Sequence, residues 1–343
     1  NIMEDIMKKT FLLFILALCS IALFAQNENW LWAKQAGGPN HDYGYSIAVD
    51  ANGNSYIIGS FWSIATFGNT TLTSSGGYYT DIYVAKLDSK GNWLWANKAG
   101  GLNWDYGYSI AVDANGNSYV TGCHLSSATF GTTTLTSSGG YDIFVAKLDS
   151  SGNWLWAKKA GGTSDDYSRS ITVDDNGNSY VTGDFRSSAT FGTTILNTSG
   201  YNDIFVAKLD INGNWLWAKQ AGGSYRDYGY SIAVDANGNS YVTGCFSGIA
   251  TFGTTTITSS GDKDIFVAKM DSNGNWLWGK QTGGTSGDEG KNIAVDANGN
   301  SYVTGYFNIS ATFGTTTLTS SGGSDIFVAK LDSSGNWLWA KQA

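Results

Sequence analysis

The motif Asn-Trp-Leu-Trp returns six times along the chain, with its first tryptophan at Trp30, Trp93, Trp154, Trp215, Trp276 and Trp337. The first two copies stand 63 residues apart, and each later pair stands 61 apart. A fixed period of this length, carried by near-identical letters, means a tandem array in which one supersecondary unit stacks on the next. The units run over residues 30–92, 93–153, 154–214, 215–275 and 276–336, and a partial unit covers 337–343. The first unit's two additional residues, Tyr79 and Thr80, fall in a Gly-rich stretch where lengthening a loop costs little.

Each unit holds four strand-like runs. In the second unit these are Tyr108–Asp113, Ser118–Gly122, Asp142–Asp149 and Asn153–Ala160. The first two are joined by Ala-Asn-Gly-Asn and the last two by Ser-Ser-Gly, residues that accept the positive φ of tight hairpins. The Thr/Ser/Gly-rich segment Ala128–Gly140 reads as a small exposed hairpin or a long loop. Along Asp142–Asp149, Ile143 and Val145 point one way, and Phe144, Ala146 and Leu148 the other. A sheet with one face in water alternates polar and apolar, so these strands predict a sheet covered on both faces. Beyond the N-terminal region no segment has helical periodicity. The sequence therefore predicts an all-β chain, a β-propeller of five full four-stranded blades. Six Trp-Leu-Trp copies against five of every other strand leave Trp30–Ala36 as a surplus N-terminal strand. The chain opens without Met and stops inside a repeat, so we expect a fragment of a larger ring.

Ser109–Gly122, Ser-Ile-Ala-Val-Asp-Ala-Asn-Gly-Asn-Ser-Tyr-Val-Thr-Gly, resembles the bacterial β-propeller repeat family called SBBP, and the match recurs in all five units. The layout is also similar to NHL repeats, which place a Val-Asp-x-x-Gly-Asn turn between their first two strands. Ala146–Trp156 resembles the tryptophan-docking motif of quinoprotein propellers, one residue off in its Asp-to-Gly spacing. That likeness implies a shared structural device and no quinone cofactor. Membership of the SBBP family implies a secreted or cell-surface bacterial protein.

Residues 1–25 read as upstream residues and an export signal. Lys8 and Lys9 precede the apolar run Phe11–Ala25, with cleavage expected near Ala25. The run is short for a membrane span, and residues 26–343 hold no other candidate. Cys19 follows Leu18 rather than the small residue a lipid-attachment site wants. Cys123 and Cys245 lie two repeats apart, on non-adjacent blades beyond disulfide reach, and are expected to be free, partly buried thiols. Of the 28 acidic residues, 20 are Asp42, Asp50, Asp81, Asp88 and their equivalents, so the net charge of −8 belongs to the scaffold. That balance argues against nucleic acid, which requires clustered Lys and Arg.

Candidate chemistry competes with structural readings throughout. Asp50-Ala-Asn-Gly-Asn54 and its equivalents offer oxygens at alternate positions, as Ca²⁺ loops do, but lack the later bidentate Glu. We read them as hairpin turns capped by their own Asp and Asn, and expect no cofactor. Asp42, Asp105, Asp166, Asp227 and Asp288 would either ring a channel mouth or fix the loops between units. Strict repetition favours the second role. The tryptophan pairs, such as Trp154 and Trp156, lie two apart and are expected to share a face and fill the space between blades. Trp62 and Trp104 fall outside that phase. His41 and His124 sit in different loop classes with no recurrent partner, and no nucleophile or zinc motif appears.

The repeats differ most in the loop before the phased Asp, which supplies the candidate ligand-binding residues His41, Trp104, Asp165, Tyr225 and Arg226. The reading is an exported, non-catalytic scaffold that meets an extracellular protein or glycan. The alternatives are a propeller hydrolase or lyase acting on an extracellular polymer, and a multivalent lectin.

Overall fold

A computed structural model describes residues 30–343. The export signal, its cleavage point and Cys19 lie outside the described residues. Ala36–Ala343 form one compact unit. It is all-β, and five successive four-stranded antiparallel blades make it up. Blade 2 shows the plan with strands Asp105–Val112, Ser118–Phe130, Thr133–Leu148 and Trp154–Gly161. Blade 1 begins with Asp42–Val49, blade 3 with Tyr167–Val173, blade 4 with Tyr228–Val234 and blade 5 with Glu289–Val295. Among the described residues no helix is long and apolar enough to cross a membrane.

The segment left open between hairpin and loop is a hairpin. In blade 2 it extends the second and third strands, pairing Ser127 with Thr136 and Phe130 with Thr133. The fourth strand of each of blades 1 to 4 then reaches forward to the next blade's hairpin, as Gly100 does to Thr129 and Gly101 to Ala128. A Cβ on Gly101 would stand 1.8 Å from the Ser127 carbonyl oxygen, so only glycine lets the two backbones meet.

One expectation fails at the start of the chain. Trp30–Ala36 form no strand, and the nearest pairing is a single bridge between Gly37 and Thr66. A fourth strand needs a third strand beside it, and among the described residues there are five of those, each already paired with its own partner.

The core lies between blades. Tyr56, Ile58, Ile82 and Val84 on the trailing face of blade 1 pack with Ile110, Val120, Phe130 and Phe144 on the leading face of blade 2. Tyr119, Ile143 and Val145 of blade 2 pack likewise on Ile171, Val181 and Phe191 of blade 3. Thus Ile143 and Val145 serve one junction and Phe144, Ala146 and Leu148 the other, as their alternation requires. Burying each large apolar side chain stabilises the junction by about 1.5–3 kcal/mol.

The tryptophan pair does not share a face. Trp154 packs into the junction with blade 1 and Trp156 into the junction with blade 3. A β-bulge explains it: the pairing slips between Trp154 (opposite Leu148) and Trp156 (opposite Lys147), so the usual two-residue phase is reversed. Trp154 stands edge-on to Phe130 at 5.3 Å, and Trp156 donates Nε1–H to the Ile211 carbonyl at 3.1 Å. Trp154 thereby braces its own blade's second strand, while Trp156 bonds across to blade 3.

Candidate functional site

The turn carboxylates are occupied by their own loop. Asp50 Oδ1 accepts the N–H groups of Asn52 and Asn54 at 2.9 Å, while Oδ2 accepts the Asn54 amide at 2.8 Å and the Tyr56 hydroxyl at 3.2 Å. The same bonds recur at Asp113, Asp174, Asp235 and Asp296. These oxygens are thus committed to shaping the hairpin.

Four of the five phased aspartates are withdrawn from solvent, and Asp42 is half-buried. Asp105, Asp166, Asp227 and Asp288 are fully buried. Asp166 Oδ2 accepts the Gly162 N–H at 2.7 Å and Oδ1 the Arg186 N–H at 3.0 Å, which fixes the connection into the blade. Each also faces a second buried carboxylate. A Cβ on Gly161 would lie 2.7 Å from Asp142 Oδ1 and 3.0 Å from Asp166 Oδ2, so both acids crowd one glycine with φ of +141°. Burial, and then the neighbouring aspartate, push Asp105 up to about 8 against the pull of the Gly101 N–H. Burial lifts Asp166 and Asp227 to about 7 and Asp288 to about 6. The two cysteines among the described residues are buried and free, Cys123 beside the Tyr108 hydroxyl and Cys245 beside that of Tyr230.

Of the five rim candidates, the structure brings two together. Tyr225 and Arg226 line an open cleft of about 650 Å³ at the junction of blades 3 and 4. The third strands' approaches add Tyr201 from blade 3 and Asp262 and Lys263 from blade 4, with Ser247 and Gly248 at the floor. Tyr201 and Tyr225 are 57% and 58% exposed. The Tyr201 N–H donates to the Tyr225 carbonyl at 3.3 Å, and the Arg226 guanidinium lies 5.8 Å from the Tyr201 ring. Asn202 and Arg226 form a parallel bridge that pins the two loops. Lys263 is divided between the Tyr228 ring at 5.5 Å and Glu289 Oε1 at 3.4 Å.

Gly248 makes room for this arrangement. Its φ is +67°, and a Cβ there would meet Tyr225 Cδ2 at 2.7 Å. The equivalent positions in the other blades are Ser63, Ser126, Ser187 and Ile309, all with positive φ. Glycine therefore stands at this site in the blade where an aromatic ring leans over it.

The other three candidates line no part of that cleft: His41 packs on blade 1 alone, and Trp104 and Asp165 sit at two different junctions. His41 stacks at 6.0 Å on Trp62 and 6.2 Å on Tyr43. Trp104, 41% exposed, meets Tyr79 edge-on at 4.7 Å. Asp165 Oδ1 accepts the Tyr141 N–H at 3.0 Å. The sequence reading missed Tyr201, Asp262 and Lys263. Their signal was the divergence of the loops before the third strands, Gly200-Tyr-Asn202 against Gly261-Asp-Lys263. It also missed the first-strand lining, where Arg169 pairs with Asp184 at 2.6 Å and approaches Tyr167, Tyr228 and Tyr230.

The SBBP β-propeller repeat family matches at residues 31–63, 98–122, 155–184, 216–244 and 277–309, one match per unit. An uncharacterized WD repeat-containing protein of Acanthamoeba polyphaga mimivirus is 28% identical over 77% of this chain and 24% of its own length. The regulatory protein FlaEY of Caulobacter vibrioides is 27% identical over 80% of this chain and 31% of its own. The chain thus spans about a quarter to a third of the curated relatives it matches. A crystal structure of a Bacteroides caccae protein of unknown function aligns with a TM-score of 0.38 at 11% identity, covering 79% of this chain and 92% of that one. Five family matches in phase with five four-stranded blades place the chain in the SBBP β-propeller repeat family.

Proposed function

We propose that this repeat scaffold is an exported, non-catalytic binding protein whose blade 3–blade 4 rim cleft takes an extracellular protein or glycan. The observation that carries the reading is the cleft's composition. Two exposed tyrosines stand beside Arg226, Asp262 and Lys263, on loops that a rigid sheet array positions. Aromatic faces stack on sugar rings or apolar side chains, while the charged groups orient a polar partner. The position matching Tyr225 is Asn103, Ser164 and Ser286 in the other three junctions, so no second junction carries this aromatic ring. One cleft with its own residues fits monovalent recognition better than a lectin with equal sites on every blade.

The test is binding to a glycan panel and to surface-exposed proteins of the producing cell, with Tyr225→Ala and Gly248→Ser compared against wild type. The alanine change removes a stacking ring and is expected to weaken binding at least about tenfold, as losses at central aromatic anchors do. Gly248→Ser keeps a residue that three other blades tolerate there, yet its Cβ displaces the Tyr225 ring. It should weaken binding with the fold intact. Affinity unchanged in both variants would overturn the cleft as the binding site.

A further inference from the structure

Lys98 and Asp81 lie diagonally across one face of the hairpin formed by Thr80–Leu87 and Trp93–Gly101, where Tyr83 pairs with Lys98 and Ile82 with Ala99. Lys98 Nζ stands 3.2 Å from Asp81 Oδ2. The Ser75 hydroxyl bridges the two, accepting from Lys98 Nζ at 2.8 Å and donating to Asp81 Oδ2 at 2.9 Å. Asp81 is 0% exposed, and its Oδ1 has no hydrogen-bond partner among the described residues. Asp105, also fully buried, crowds the same place: a Cβ on Gly100 would lie 2.7 Å from Asp81 Oδ1 and 2.9 Å from Asp105 Oδ2. Burial pushes Asp105 up to about 8, so it carries its proton at neutral pH. An amine, a bridging hydroxyl, a buried carboxyl and a neutral acid thus meet at one point.

We propose that the Lys98 amine and the Asp81 carboxyl condense into an intramolecular amide, with Ser75 relaying a proton and Asp105 acting as the acid. One proton first crosses from Nζ to Oδ2, which turns the ion pair into a neutral amine and a neutral acid. Nζ then attacks Asp81 Cγ; the Nζ–Cγ bond forms and the Cγ–Oδ2 bond breaks. A second Nζ proton passes through the Ser75 hydroxyl to Oδ2, which leaves as water. Asp105 holds its proton toward Oδ1, stabilises the charge that builds there, and keeps the proton afterwards. Packing makes the attack intramolecular, and the amide removes two charges, one of them on a fully buried carboxylate. The later blades depart from this constellation. Lys159, Ser138 and Asp142 repeat its first three groups, with Lys159 Nζ 3.3 Å from Asp142 Oδ2. There, however, the Arg186 N–H donates to Asp166 Oδ1 at 3.0 Å beside the Gly162 bond to Oδ2, which favours the ionised form. The Leu125 N–H at the matching place donates to the Trp104 carbonyl instead, so Asp105 lacks that short bond. Blades 3 and 4 carry Gln220 and Gln281 in place of the lysine, and each amide reaches the matching aspartate oxygen without a nucleophilic nitrogen. The link therefore belongs to blade 1, where it staples the strand whose Gly100 and Gly101 reach blade 2.

Trypsin digestion of the unfolded wild-type chain, read by tandem mass spectrometry, tests this. The expected product is a branched peptide joining the segment that contains Asp81 to the segment that contains Lys98. It should be one water lighter than the two segments together, with no cleavage after Lys98. Lys98→Gln copies what blades 3 and 4 already carry and is expected to remove the branch with the fold intact, as circular dichroism verifies. Asp105→Asn leaves the ion pair but removes the acid. Followed from the moment of cell-free synthesis, it is expected to form the branch at least about a hundredfold more slowly than wild type. Cleavage after Lys98 in the wild type, with separate peptides at their sequence masses, overturns the proposal. So does a branch that Asp105→Asn forms as fast as wild type, or an equal yield of branch between Lys159 and Asp142.

Discussion

At position 124 a histidine fills a slot that Phe61, Phe185, Phe246 and Phe307 fill in the other blades, all five fully buried. Its Nδ1 lies 3.2 Å from the Ser126 carbonyl, while Nε2 is buried with no partner among the described residues. Burial pushes the ring down to about 4 from 6.5, so the folded chain holds it neutral. His124→Phe removes the orphaned nitrogen and is expected to stabilise the chain by about 1–2 kcal/mol, read as a higher urea midpoint at pH 7. The gap should widen on acidification. The neutral-histidine contribution is complete above the unfolded value and is lost as pH falls from 6.5 through about 4. A midpoint lower than wild type at pH 5 would reject this account. Sequence reading set His124 aside for want of a recurrent partner; comparing it with the phenylalanines at the same phase would have identified a core position.

Among elements, the strands were readable because alternation and turn chemistry agree over every repeat, as at Ile143–Leu148 before the Asp149–Asn153 turn. The bulge was not readable. It reverses the faces of Trp154 and Trp156 through backbone pairing that no side-chain pattern encodes. The paired aspartates were legible as structural and illegible as pairs, since Asp142 and Asp166 meet only when Gly161 folds one strand end against the next connection. Their linkage to pH is opposite to that of His124. With folded values raised to about 7 at Asp166 and Asp227 and about 6 at Asp288, their contribution is complete below pH 4 and is lost as pH rises through those values. Asp142→Asn relieves the like-charge contact at one junction. Between pH 5 and pH 9 its urea midpoint is expected to fall less than that of wild type, and an equal or steeper fall would count against a shared buried charge.

For the whole molecule, stability is the sum of blade terms and nearest-neighbour junctions. Blades 2–4 are covered on both faces and blade 5 on one. Amides of Thr316–Leu331 are therefore expected to exchange faster than those of Thr194–Leu209, as read by mass spectrometry. Equal protection would show that the array melts as one unit. At this scale the sequence named the array but scattered the site. Tyr225 and Arg226 are neighbours in the chain, whereas Tyr201 and Lys263 reach them only because third-strand approaches from two blades converge on one junction. The same nearest-neighbour construction sets how the chain comes off the ribosome. Every junction joins segments about one repeat apart, so each blade can dock on its predecessor soon after it emerges, without waiting for the distant C-terminus. Near-identical repeats bring a matching hazard: a half-made blade 4 can close on the wrong trailing face, and only local differences such as Met270 or Gly248 favour the correct order.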